Sequence, residues 1–220
     1  MVSPPKWLEY AERKFHWIAI PNLGMFLIAL QAMGFAFLLL KSGSDPYAAS
    51  AILQMLVLDP NAVLAGEVWR VVTFLTIPLS NDIWMIFVLW FLYFVFSSLG
   101  RAWGDFKLTV YFLIAWLGAV AASLIFKVPV DSFLFIESTF FFALATLIPD
   151  FEIYILFVLP VKIKWVALFS ATMMILIPLL AGDWAYRLYV LIASLNYLLF
   201  FGPGFYNILR MEMRRRKLQP

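Results

Sequence analysis

Long apolar runs separated by short polar stretches make up most of the chain. Residues 22–40, for example, contain no charged side chain. As a helix rising about 1.5 Å per residue, a run of this length crosses the hydrocarbon core of a bilayer. We therefore predict an all-α membrane protein with six transmembrane helices. The predicted spans are 22–40, 83–99, 108–126, 132–148, 165–181 and 188–201.

Two terminal segments flank this predicted six-span domain, which covers 22–204. Residues 1–21 place charged side chains and aromatic rings on roughly opposite faces at helical spacing. That pattern predicts a helix lying in the membrane interface. Residues 205–220 are rich in basic side chains and are predicted to form a cytoplasmic tail.

Two internal stretches are apolar but too short to span. The connection 41–81, between the first two spans, contains apolar pieces interrupted by Asp59-Pro60-Asn61 and by Gly66-Glu67. We predict an amphipathic loop in the membrane interface, and loops of this length are often functional. Residues 153–161 are predicted to form an interfacial or re-entrant segment.

Composition supports the membrane class. Apolar residues make up 65% of the chain, charged residues make up 13%, and the mean hydropathy is +0.93. A soluble domain has about 45–50% apolar residues and could not bury this excess. The soluble, disordered and disulfide-rich secreted classes are therefore excluded.

The basic residues predict an orientation. With six spans, 12 Lys and Arg residues lie on the side of the termini and 4 on the other side. By the positive-inside rule both termini face the cytoplasm, and we expect a bacterial cytoplasmic membrane. The net charge of +3 then reflects topology and lipid contact rather than nucleic-acid binding. The residues expected to contact anionic lipid are Arg214, Arg215, Arg216 and Lys217.

The scarcity of chemically reactive side chains excludes several functions. The chain has no cysteine and one histidine, His16, which lies between aromatic residues ahead of the first span. We expect His16 to be an interfacial polar residue. Disulfides, thiolate catalysis and a His-Glu-x-x-His zinc site are excluded. The aspartates all fall in loops or at span ends, which excludes an intramembrane aspartyl protease, and we expect no metal or cofactor.

Several motifs, in matching order, resemble those of the rhomboid intramembrane proteases. The first, in the 41–81 loop, resembles the Glu-x-Trp-Arg signature of that family, and the similarity extends over roughly 61–201. The matching stretches are Glu67-Val68-Trp69-Arg70, Leu99-Gly100-Arg101-Ala102-Trp103-Gly104, Leu147-Ile148-Pro149-Asp150 and Leu159-Pro160-Val161-Lys162. The resemblance implies a rhomboid-like bundle with a groove between the second and fifth spans.

The catalytic signature of that family is missing. A rhomboid protease needs a Gly-x-Ser-Gly nucleophile in the fourth span and a histidine base in the sixth. Here Ser138 lacks the flanking glycines, three phenylalanines follow it closely, and the sixth span offers Ser194 and Asn196 instead of histidine. Trp84 and Val88 lie where the second span of the family carries a histidine and an asparagine. We therefore predict that the chain is not an enzyme.

The motif in the long loop has its own physical interpretation. Glu67 and Arg70 are three residues apart and can pair on one face of a short helix, and Trp69 suits a position at the headgroup level. The interpretation we favour is a structural clamp on the loop. The alternative is contact with a substrate or with lipid, or local distortion of the bilayer.

Polar residues inside predicted spans are the remaining candidates. Glu137 lies nearest to a span interior, where a carboxylate is costly unless it is paired or hydrated, and Arg187 is its predicted partner. Ser138 and Asn196 complete this set of intramembrane candidates. No chain of ionisable groups crosses the spans, which makes a channel or transporter a remote alternative.

The sequence thus predicts a rhomboid-like pseudoprotease that binds or scaffolds other transmembrane proteins without cleaving them. The alternative is a structural accessory subunit of a larger integral membrane complex. The small size of the chain, its few polar groups and its 19% aromatic content suit that role equally well.

Overall fold

The computed structural model describes residues 6–42, 46–155, 159–180 and 182–218. Helices dominate this part of the chain, with two 3-10 turns at His16–Ile18 and Phe74–Thr76. The helices are α1 (Lys6–Phe15), α2 (Leu23–Ser42), α3 (Pro46–Leu56), α4 (Pro60–Leu64), α5 (Arg70–Thr73), α6 (Trp84–Phe126), α7 (Leu134–Leu147), α8 (Ile163–Leu180), α9 (Trp184–Ala193) and α10 (Leu195–Leu218). Two strands, β1 (Glu152–Ile155) and β2 (Leu159–Lys162), form an antiparallel hairpin.

Three of the described helices are long and apolar enough to cross a membrane, namely α2, α6 and α8. A fourth span results if α9 and the first half of α10, which meet at an angle of 62°, count as one broken span. The shorter apolar helix α7 has 14 residues. The prediction of a mostly helical, multi-pass membrane protein is therefore confirmed, and the number of six spans stays a prediction.

The helix α6 folds back on itself at Gly104. This glycine has φ 79° and ψ 169°, a conformation outside the helical region and accessible mainly to glycine. A Cβ added to Gly100 would lie 4.0 Å from Leu108 Cδ2, and the rings of Trp103 and Tyr111 are 5.3 Å apart. The two residues of each pair are eight positions apart, and in a straight helix such residues would be separated by about 12 Å along the axis. The helix is therefore two arms, 84–103 and 105–126.

Two features of the fold add detail that the sequence did not predict. The predicted interfacial piece 153–161 contains most of the β1–β2 hairpin, where Ile153 pairs with Val161. The predicted last span, 188–201, overlaps α9 and α10, and its limits as a membrane crossing stay a prediction. The chain bends at Ser194, between α9 and α10, and α10 then continues through Gly202 and Pro203 into the predicted tail.

Small side chains on the second arm of α6 allow α9 to approach closely. Ala115, Ala119 and Ala122 are fully buried. A Cβ on Gly118 would lie 3.1 Å from the backbone oxygen of Ile192 on α9. Close backbone approach through small residues is the usual way in which helices associate in a bilayer, where burial of apolar surface adds little.

The N-terminal segment forms a helix as predicted and packs against the bundle. Leu8 of α1 is fully buried, the ring of Trp7 makes an edge contact with that of Phe200, and Glu12 forms an ion pair of 3.4 Å with Lys107. His16 is exposed in the turn that follows. That α1 lies in a membrane interface remains a prediction.

Candidate functional site: a buried polar layer and a clamped loop

The loop between the first two predicted spans is held by Arg70. Its Nε and Nη2 each lie 2.7 Å from Glu67 Oε2, which confirms the predicted pair. Its Nη1 donates to the backbone oxygens of Gln54, at 2.6 Å, and Val57, at 2.9 Å. These two carbonyl groups lie at the C-terminal end of α3, where the helix has no further backbone N–H groups to bond them. Arg70 is only 8% exposed, so its guanidinium joins α3 to α5 in a buried position.

The surroundings of Arg70 favour the clamp over a binding role. Trp116 Nε1, on the second arm of α6, donates to Val71 O at 2.9 Å and ties the loop to the bundle. Asp59 begins α4 by accepting a hydrogen bond from the backbone N–H of Asn61. Trp69 is 54% exposed, as a side chain that anchors the loop in lipid headgroups would be.

A buried polar layer joins three helices of the bundle. Thr139 on α7 accepts a hydrogen bond of 2.7 Å from Asn196 Nδ2 on α10, and its own hydroxyl donates to Ile136 O. The hydroxyl of Tyr111, on the second arm of α6, donates to Thr139 O at 2.7 Å. Thr139, Asn196 and Tyr111 are all fully buried. The helices α7 and α10 fall in the predicted fourth and sixth spans.

The chemistry of this pair is not that of a nucleophile and a base. A side-chain amide has no basic lone pair at neutral pH and cannot accept a proton from a hydroxyl as an imidazole does. The hydroxyl of Thr139 is also fully enclosed, so water cannot reach it. Phe140 packs edge-on against Tyr111 and Phe96, with ring centroids 5.0 and 4.9 Å apart. The arrangement joins α7 to α10, and neither side chain of the pair can serve as a base for the other.

A second buried pair joins α2 to α7. Gln31 Nε2 donates a hydrogen bond to Glu137 Oε1, and the two residues are 1% and 5% exposed. Arg187, the predicted partner of Glu137, lies elsewhere. It donates from Nε to Pro178 O at 3.1 Å and from Nη2 to Leu179 O at 2.7 Å. The predicted Glu137–Arg187 pair is therefore wrong, because the guanidinium satisfies the free carbonyls at the end of α8.

Ser138, the serine of the predicted fourth span, makes no side-chain hydrogen bond within the described residues. It is half-buried on α7, between Glu137 and Thr139. Successive residues of a helix point about 100° apart, so its side chain leaves the helix in a different direction from either neighbour. The hydrogen bonds to Ile136 and Asn196 are made by the neighbouring Thr139 and not by Ser138.

An aromatic cleft lies beside the first arm of α6. It has a volume of about 540 Å³ and opens to the outside of the bundle. One wall is the 84–103 arm and the other is the beginning of the β1–β2 hairpin, which leads into α8. Its lining residues are Phe87, Trp90, Phe91, Phe94, Phe151, Glu152 and Ile153. The rings of Phe94 and Phe151, one from each wall, stack with their centroids 5.0 Å apart.

An ion cluster joins Asp150, just before the hairpin beside this cleft, to the end of the hairpin and to the first turn of α8. Asp150 accepts hydrogen bonds from Lys164 Nζ at 2.7 Å and Lys162 Nζ at 3.3 Å. The hydrogen bond from Lys164, followed by that from Lys162, lowers the pKa of the Asp150 carboxyl below its ordinary value of 3.8.

We expect the carboxyl carbon of Asp150 to titrate below pH 3.8 in an NMR experiment. Since the folded pKa is the lower one, any stabilisation by this cluster is present above pH 3.8 and is lost as the pH falls through the folded pKa. In Lys164→Gln the midpoint should move up toward the ordinary value. An unchanged midpoint in that variant would show that Lys164 does not perturb this carboxyl.

Sequence reasoning missed three members of the buried layers, Gln31, Thr139 and Tyr111. Gln31 interrupts an otherwise apolar run and was the one detectable signal, since a lone amide inside a span usually has a polar partner. Thr139 and Tyr111 give no such signal, because both occur widely in transmembrane helices and at their ends. The side chains of the four predicted lipid-binding residues, Arg214, Arg215, Arg216 and Lys217, lie outside the described part of the structure.

No family model, curated protein or solved structure matches this chain.

Proposed function

We propose that this chain is a rhomboid-like pseudoprotease, a non-catalytic membrane protein that binds or scaffolds other transmembrane proteins. The observation that carries the proposal is the buried Thr139–Asn196 hydrogen bond of 2.7 Å between α7 and α10. A hydroxyl and an amide occupy the helices from which a rhomboid protease would draw its serine and its histidine. The contact between the helices is kept, while the proton acceptor that catalysis requires is absent from the pair.

The helix arrangement supports six crossings. The two arms of α6 count as two spans because the chain reverses at Gly104, and α7 is then a short span of 14 residues. A helix of this length covers about 21 Å and is shorter than the hydrocarbon core. The bilayer beside α7 would become thinner to match it. Local thinning of this kind would favour entry of a client helix with polar positions.

The aromatic cleft supports a binding role. It lies between the proposed second span, the 84–103 arm, and the hairpin that precedes the proposed fifth span, α8. Its walls offer flat rings and few polar groups, a surface suited to the side chains of a transmembrane helix. We therefore propose a client helix as the occupant of this cleft.

One observation favours the alternative function, that of an accessory subunit. Only 11% of the membrane-spanning stretch of α8 is buried within the chain, compared with 39% for α2. Its exposed side chains include Leu168, Phe169, Ile175 and Ile177. A fixed partner subunit lying along α8 would bury this face permanently.

Site-specific photocrosslinking in the native membrane separates the two functions. A photoreactive phenylalanine analogue at Trp90 probes the cleft, and the same analogue at Ile177 probes the outer face of α8. A client binder gives crosslinks to several different transmembrane proteins from Trp90 and only lipid from Ile177. One constant partner captured from Ile177 would favour the accessory subunit. Lipid adducts alone from both positions would contradict both functions.

A further inference from the structure

Two buried oxygen atoms of the Gln31–Glu137 pair lack hydrogen-bond partners within the described part of the chain. They are Gln31 Oε1 and Glu137 Oε2. The other half of each side chain is satisfied, because Gln31 Nε2 donates to Glu137 Oε1. Both residues are almost fully buried, so bulk solvent does not reach these two oxygens. A buried acceptor without a donor is costly, and two in one side-chain pair call for a common explanation.

The charge on an ionised Glu137 would also be unbalanced. Among the described residues, the ion pairs within 4 Å involve Glu67, Glu12 and Asp150, and none involves Glu137. An unpaired carboxylate in apolar surroundings is strongly disfavoured. The described charged side chains on the helices that pack against α7 lie elsewhere: Arg101, Asp105 and Lys107 near the bend of α6, Lys164 at the start of α8, Arg187 in the first turn of α9, and Arg210 in α10.

We propose that Gln31 and Glu137 together hold one proton. Glu137 is then a neutral carboxylic acid, and its Oε2–H donates to Gln31 Oε1 while Gln31 Nε2 donates to Glu137 Oε1. A protonated carboxyl group offers one O–H donor and one C=O acceptor, and the side-chain amide of Gln31 offers an N–H donor and a C=O acceptor to match them. The single proton, taken up from solvent during folding, satisfies both free oxygens and removes the unbalanced charge. The result is a ring of two hydrogen bonds that joins α2 to α7.

The proposal predicts which substitutions the pair tolerates. In Glu137→Gln, the new amide offers the same donor and the same acceptor without needing a proton. That variant should keep the melting temperature of the parent protein in detergent or lipid. In Glu137→Ala both hydrogen bonds are lost and Gln31 is left with two unpaired polar ends. That variant should melt at a clearly lower temperature.

Infrared difference spectroscopy tests the proton directly. Full-length protein in lipid vesicles at neutral pH is compared with Glu137→Gln. The proposal predicts that the parent shows the C=O stretching band of a protonated carboxylic acid, which the variant lacks. The carboxylate bands should be equal in the two samples. A difference in the carboxylate bands with no acid band would overturn the proposal, and would indicate a carboxylate balanced by a cation or by water.

A second measurement covers the case in which Glu137→Gln fails to fold. Solid-state NMR of the unmodified protein with ¹³C-labelled glutamate counts neutral carboxyl groups without any substitution. One glutamate carboxyl carbon with the shift of a neutral acid, close in space to a glutamine side chain, supports the shared proton. A spectrum in which every glutamate is ionised contradicts it.

Discussion

Replacing Arg70 with methionine should destabilise the folded protein by about 3 kcal/mol. The methionine keeps much of the buried volume but provides no donors. The backbone oxygens of Gln54 and Val57 then lose their hydrogen bonds, and Glu67 loses its ion-pair partner. Arg70→Lys should recover only part of the loss, because an ammonium group cannot reproduce the fork of the guanidinium. Equilibrium unfolding in lipid or mild detergent measures the effect.

The matched control is Arg101→Met. Arg101 is exposed, and its one described hydrogen bond, to Ser98 Oγ, is 3.4 Å long. Its replacement should change the free energy of unfolding by no more than about 0.5 kcal/mol. Limited proteolysis should in addition cut the 41–81 connection faster in Arg70→Met than in this control. Equal stability of the two variants would mean that Arg70 does not clamp the loop.

Gly34→Ala should cost about 2–3 kcal/mol of stability. A Cβ at this position on α2 would lie 1.9 Å from the backbone oxygen of Thr76, in the 3-10 turn that ends the clamped loop. Backbone atoms cannot move aside as the end of a flexible side chain can. The turn is also buried, since Phe74 and Leu75 pack into the core. Either α2 or the turn must therefore shift.

A matched glycine serves as the control for this substitution. Gly100 also lies within a helix, the 84–103 arm of α6, and an added Cβ would meet only Leu108 Cδ2, at the ordinary van der Waals distance of 4.0 Å. There the change to alanine should be neutral or stabilising by up to about 1 kcal/mol, as expected from helix propensity alone. If Gly34→Ala proved as stable as Gly100→Ala, the close packing of α2 on the turn would be wrong. Unfolding free energies of both variants should be measured in the same lipid or detergent.

Local patterns predicted much of the architecture. The charge-free run of α2 and the interrupted loop follow from hydropathy and from Asp59-Pro60, which begins α4. The Glu67–Arg70 pair follows from a spacing of three residues. These features depend on residues close together in the sequence, and periodicity and turn chemistry report on such neighbours directly.

The remaining features depend on contacts between distant segments. The bend at Ser194 has no glycine or proline to mark it, while Gly202 and Pro203, which do carry that signal, lie inside α10. Ser194 Oγ instead donates to Val190 O, one turn back, a bond that often accompanies bent helices. The pairing of Gln31 with Glu137 joins residues 106 positions apart, so spacing cannot reveal it.

A cleavage assay in proteoliposomes tests the central claim most directly. The full-length protein is reconstituted with single-span substrates, an active rhomboid protease serves as the positive control, and Ser138→Ala and Thr139→Ala are run in parallel. The account predicts intact substrate for this chain and for both variants while the active protease cuts. Cleavage by the unmodified chain that disappears in either variant would contradict the claim that the hydroxyl groups of α7 lack a base.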